Sequence, residues 1–177
     1  MSDVTQLIED NLRYLEQARD LIAGLSDEAF AGLPPAGYGS PAGAHFRHCL
    51  DHYENFLQGA ASGRIDYDTR QRDRAVETSR EAALAKVDDL MLRLQAMAGQ
   101  PDAPVQTKMD CGNEADTDIW WTDSSLRREL QFLISHTVHH YAIIKMTLNS
   151  LGEVTGPDFG MAPSTLRYHQ GLSACVH

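Results

Sequence analysis

Apolar residues recur at alternating steps of three and four near the start of the chain: Ile8, Leu12, Leu15, Ala18, Ile22 and Leu25. That spacing lines one helical face and predicts an α-helix over 4–25. Residues 26–39, SDEAFAGLPPAGYG, carry two prolines and three glycines, which predicts a connection with room for one short turn. Ser40-Pro41 then opens a second helix running to about Ala60, with Ser as backbone acceptor and Pro at the first helical position. Phe46, Cys49, Tyr53, Phe56 and Leu57 centre its apolar face, so Cys49 reads as a small core residue while Asp51 and Glu54 face water.

The stretch from Ser62 to Val76 is rich in Arg and Asp, with little apolar periodicity, and reads as a solvated loop without chemistry. Thr78 and Glu81 have the spacing of a capping box, after which Leu84, Val87, Met91, Leu94 and Met97 trace a third buried stripe that Gly99 and Pro101 end. From Val105 the pattern alternates through Thr107, Met109 and Cys111, and after GNEA come Ile119, Trp120 and Trp121; this reads as a β-hairpin or an extended crossover. The tryptophans anchor that crossover or roof a pocket. A fourth helix begins near Ser124 and ends by Gly152, with Leu126, Leu133, Ile144, Leu148 and Leu151 on one side. The tail packs irregularly over the helices.

Four amphipathic helices with long second and third connections predict an all-α chain, a four-helix bundle forming one domain over 1–177, whose cofactor sites would lie between facing helices. A chain of 177 residues with 42% hydrophobic content can bury one ordinary core. Its 15 basic residues oppose 25 acidic ones for a net charge of −10, which repels a phosphate backbone and argues against nucleic acid as a partner. Apolar runs such as Tyr141 to Met146, broken by Lys145, fall short of the roughly 20 residues a membrane span needs. The start, MSDVTQLIED, lacks the basic and apolar regions of a signal peptide, so a cytoplasmic protein is expected. Cys49, Cys111 and Cys175 form no CxxC and are odd in number, which suits a reducing compartment.

The chemical signal is histidine. Six of eight fall in two windows, HFRHCLDH at 45–52 and HTVHH at 136–140. His136 and His140, four apart on a helix, present their rings on one face, where two imidazoles can meet one ion. The stripe through Leu126, Leu133, Ile144 and Leu151 contains His140, with His136 at its edge and His139 on the flank. In the other window His45 and His52 sit nearer the apolar face than His48, so periodicity favours one of those two as a third ligand, whereas a rim site with an open position suits His48.

SPAGAHFRH, residues 40–48, resembles the start of the second helix of the DinB/YfiT-like metal-binding four-helix bundles, and SHTVHHYA, residues 135–142, resembles their fourth-helix motif NHxxHHRGQ. The resemblance also covers the long second connection and the LRRELQFL run that leads into the second motif. It implies a DinB/YfiT-type bundle and one divalent metal ion, zinc, nickel or iron, held by His48, His136 and His140. It further implies a metal-dependent small-molecule hydrolase or low-molecular-weight thiol transferase, in which the ion lowers the pKa of bound water or polarises a thiol or carbonyl. The opposing reading is a non-catalytic structural or interaction bundle whose histidines are buried or bind metal adventitiously, and a homodimer is compatible with either. Catalytic groups beyond the metal are not identified. Tyr141, Ala142 and Ile143 stand where the family often has Arg-Gly-Gln, so an outer polar group is missing; Glu129 is a candidate replacement acceptor.

Overall fold

The computed structural model describes residues 3–34, 39–110, 121–169 and 171. Helix α1 spans Asp3–Gly24, α3 Ala42–Ala60, α5 Arg80–Gln95 and α6 Leu126–Ser150; short helices α2 (Asp27–Ala31), α4 (Arg74–Thr78) and α7 (Pro163–His169) lie between or after them. The four long helices close a ring in which α1 and α3 each pack against both α5 and α6. The first buried stripe runs through Val4, Ile8, Leu15, Ala18 and Ile22, and at its centre stands a polar residue, Asn11, with no exposed surface. Asn11 earns this place through hydrogen bonds: its Nδ2 donates to the Leu7 and Leu130 carbonyls, and its Oδ1 accepts from the Tyr53 hydroxyl at 2.9 Å. A buried amide satisfied from three helices fixes their mutual register.

The helix starts deviate from expectation in instructive ways. Pro41 caps α3 without any side-chain hydrogen bond, so Ser40 does not serve there. Helix α5 is capped by Ser79, whose hydroxyl accepts from Ala82 N, and Thr78 belongs to the preceding α4. Ser125 caps α6 by accepting from Arg128 N at 3.3 Å. Gly43 is required where α3 passes α4, because a Cβ there would lie 2.1 Å from the Glu77 carbonyl oxygen.

The expectation of a featureless loop over 62–76 is overturned. Strand β1 (Arg64–Asp66) pairs in parallel with β2 (Pro104–Lys108), which pairs antiparallel with β3 (Trp121–Ser125), giving a sheet ordered β1-β2-β3. Ile65 and Tyr67 alternate inward and are buried, and the Tyr67 N–H extends the ladder to the Lys108 carbonyl. The fold is therefore mostly helical, as expected, with a small three-stranded sheet. The antiparallel β2–β3 pair matches the hairpin expected between the third and fourth long helices, while Cys111, Trp120 and Cys175 lie outside the described residues. Trp121 stacks under the Arg64 guanidinium, 4.1 Å from its ring centre, which ties β3 to β1. Among the described residues, no helix is long and apolar enough to cross a membrane.

Two acidic residues expected in water are buried. Asp51 accepts from Arg47 Nη1 at 2.6 Å, and Arg47 Nε also binds Glu77, linking α3 to α4. Glu54 meets Lys86 and both terminal nitrogens of Arg93 on α5. Burial alone would raise the Glu54 pKa, but hydrogen bonds from Arg93, Lys86 and Gln58 hold it down at about 2. Helical periodicity leaves both facing water; the ion pairs, with Arg47 on the same helix for Asp51 and with Lys86 and Arg93 on α5 for Glu54, make their burial favourable.

Candidate metal centre

Helices α3 and α6 pack face to face, and the two histidine windows meet across that seam. His48 Nε2 and His136 Nε2 lie 3.1 Å apart, and one ring nitrogen each from His48, His136 and His140 all fall within 4.8 Å of one another. Two nitrogens bound at about 2.0–2.1 Å to one ion lie roughly 3.0–3.4 Å apart, so the observed spacing fits a shared ion. His45 Nδ1 and His52 Nδ1 instead engage protein atoms. His52 Nδ1–H donates to the His48 carbonyl at 2.9 Å, and its ring stacks on His136 at 3.9 Å. His45 Nδ1 pairs with His140 Nδ1 at 3.2 Å. His139 is exposed.

Charge state follows from this crowding. Burial, then the neighbouring imidazoles, lowers His48 to about 3, His136 to about 2 and His140 to about 4. All three are neutral near pH 7, the state a metal ligand needs. The hydrogen bonds also assign tautomers. Arg70 Nη1 can only donate, so the His48 Nδ1 it meets at 2.6 Å is an acceptor and the His48 proton sits on Nε2, directed at His136 Nε2. His136 then carries its own proton on Nδ1, a buried atom with no hydrogen-bond partner in the protein. Of the His48–His136 pair, His136 turns its Nε2 lone pair inward at the cost of a stranded Nδ1 donor, a strained arrangement for a purely structural cluster and a reasonable one for a metal site.

Glu129 is not the outer-shell acceptor expected for that stranded nitrogen. It is buried, yet its two oxygens accept from the Tyr67 hydroxyl at 2.9 Å and the Ser124 hydroxyl at 2.5 Å. The Tyr141-Ala142 departure from the family motif has a packing reason. The Tyr141 hydroxyl donates to the Tyr14 carbonyl at 2.6 Å and its ring stacks on Phe159, while a Cβ on Gly160 would come within 2.9 Å of the Ala142 backbone. Tyr141 and Ala142 thus dock the 156–160 segment rather than serve the site.

A cavity of about 490 Å³ opens beside the cluster, lined by His48, His52, His136, Tyr67, Arg70 and Phe132 among others. Tyr67, Met109 and Phe132 also line a neighbouring cavity of about 320 Å³ on the sheet side. Tyr67 and Arg70 were missed in the sequence because they lie in the stretch read as a loop; the inward alternation of Ile65 and Tyr67 was the available signal, too short to stand out.

The model of the DinB superfamily matches residues 12–144. A stretch of 105 residues, 59% of the chain, is 30% identical to a protein of Rhizopus delemar named FK506-binding protein 5. That stretch spans 27% of the fungal protein. No solved structure matches the chain.

Proposed function

The chain belongs to the DinB superfamily, and from that premise we propose that it is a DinB-type four-helix bundle acting as a metal-dependent enzyme on small molecules, either a hydrolase or a low-molecular-weight thiol transferase. His48, His136 and His140 hold one divalent ion, and zinc, nickel and iron all suit three neutral imidazoles. The observation that carries the reading is the convergence of those three ring nitrogens, kept neutral by burial, beside a cavity large enough for a small molecule. A bound ion supplies Lewis acidity toward a water, thiol or carbonyl at this place. The protein supplies the rest. His45 orients the His140 ring through the Nδ1 contact, and His52 is fixed by the His48 carbonyl so that its Nε2 keeps a lone pair. Phe132, Met109 and Tyr67 give the cavity an apolar wall that excludes water from a bound substrate.

The test is turnover of simple esters and of thiol conjugates by protein of known metal content. Activity on one class, lost in His140→Ala and kept in His139→Ala, supports the reading. Stoichiometric metal without turnover of either class would place the protein among non-catalytic bundles instead.

A further inference from the structure

Arg70 is half-buried at the wall of the cavity and has an unusual set of partners. Its Nη1 donates to His48 Nδ1 at 2.6 Å, its Nε is buried with no partner, and among the described residues it forms no ion pair. Arg72, also on the wall, holds a backbone φ of 51°, a left-handed conformation uncommon for a side chain of this size. Among the described residues neither guanidinium has a carboxylate partner, although the chain carries a net charge of −10.

The tautomers sharpen the point. If His48 gives its Nε2 lone pair to a metal, its proton must sit on Nδ1, and the Arg70 N–H then faces another N–H. Arg70 loses its side-chain acceptor at the moment the metal is seated. The Nη1–H that His48 releases then needs a new acceptor, and a planar carboxylate meets the Nη1/Nη2 edge of the guanidinium with two parallel hydrogen bonds. Asp68 and Asp110 also line the cavity, with Asp68 Oδ1 accepting from the Asp110 N–H at 2.9 Å. Their charge disfavours a dianionic phosphate more than a singly charged carboxylate. Phe132, Met109 and Tyr67 offer an apolar surface to the remainder of the ligand.

We propose that the cavity takes a small molecule with a carboxylate on an apolar body, the carboxylate bound by the Arg70 guanidinium with Arg72 at the rim, and that this binding is coupled to metal loading. The inference rests on the metal reading above, since the metal is what releases Arg70 from His48. Coupling is reciprocal, so the carboxylate should tighten metal binding as the metal tightens carboxylate binding.

The experiment is calorimetric titration of phenylacetate, and of its neutral counterpart phenylacetamide, into zinc-loaded and metal-free protein whose zinc content has been measured. Wild-type, Arg70→Met and Arg70→Lys proteins are compared; Arg70→Lys keeps the charge and guards against a folding defect in Arg70→Met. Phenylacetate should bind zinc-loaded wild type more tightly than metal-free protein, and roughly ten- to a hundredfold more weakly to zinc-loaded Arg70→Met, with Arg70→Lys between them. Phenylacetamide should not distinguish the three, and Arg70→Met should hold zinc at least as tightly as wild type. Equal phenylacetate affinity in all three zinc-loaded proteins, or no measurable binding to zinc-loaded wild type, overturns the inference and leaves the metal reading standing. A wild type that takes up no stoichiometric zinc, nickel or iron overturns both.

Discussion

Replacing Glu54 by Gln removes a buried carboxylate charge while keeping its volume. In the native protein this carboxylate is held by Lys86 on one oxygen and by two nitrogens of Arg93, all on the neighbouring α5. Its pKa stands at about 2 against an ordinary 4.5. A fall of that size corresponds to about 3 kcal/mol of stabilisation at neutral pH. Arg93 and Lys86 are 36% and 25% exposed, so water screens the pair and about 2 kcal/mol is the better expectation. The sign is that of a depressed acid: the stabilisation is complete above the unfolded value near 4.5 and is lost as pH falls through about 2. Urea denaturation should therefore show Glu54→Gln less stable than wild type by about 2 kcal/mol at pH 7, with the gap falling to roughly half or less near pH 3. A gap that is absent at pH 7, or unchanged between pH 7 and pH 3, would refute the assignment of this stability to the ionised carboxylate.

Other consequences are open to measurement. His45→Ala should weaken metal binding about 10- to 100-fold, read by competition with a chromophoric chelator, because the His140 ring loses its Nδ1 partner; unchanged affinity would leave His45 a packing residue. Gly59→Ala should destabilise by at least about 2 kcal/mol in denaturant melts, since its Cβ would lie 2.4 Å from the Arg64 carbonyl oxygen and 2.6 Å from Ile65 Cα, and neither backbone atom can give way easily. Tyr67→Phe should cost about 1–3 kcal/mol by removing one of two hydroxyls that solvate the buried Glu129 carboxylate; a neutral effect would mean that Ser124 and the Arg128 guanidinium suffice.

The long helices were legible because each carries its own apolar stripe, and a stripe of five or six residues is a strong local signal. The pairing of the HTVHH window with a second histidine window was likewise visible in the chain itself. What periodicity could not supply was the partner across each seam. It nominated His45 or His52 over His48, because those two are nearer the apolar face, yet their Nδ1 atoms are taken up by His140 and by the His48 carbonyl, and His48 is left facing His136. The same blindness put Asp51 and Glu54 in water: Glu54 is held by Lys86 and Arg93 on α5, which the wheel of α3 does not contain, and Asp51 by Arg47, a pair the wheel places together without showing that it is buried. The 62–76 stretch failed for a different reason. Its strand has three residues and is stable only because β2 lies beside it, a long-range pairing that no local window records.

The central claim is that His48, His136 and His140 hold one ion. Elemental analysis of untagged protein, purified without added metal and then reconstituted, tests it most directly. The account predicts close to one zinc, nickel or iron per chain in wild type and in His139→Ala, and a loss of that ion in His48→Ala and in His140→Ala while helical content by circular dichroism is retained. Metal retained in His48→Ala and His140→Ala, or none in wild type, would contradict it.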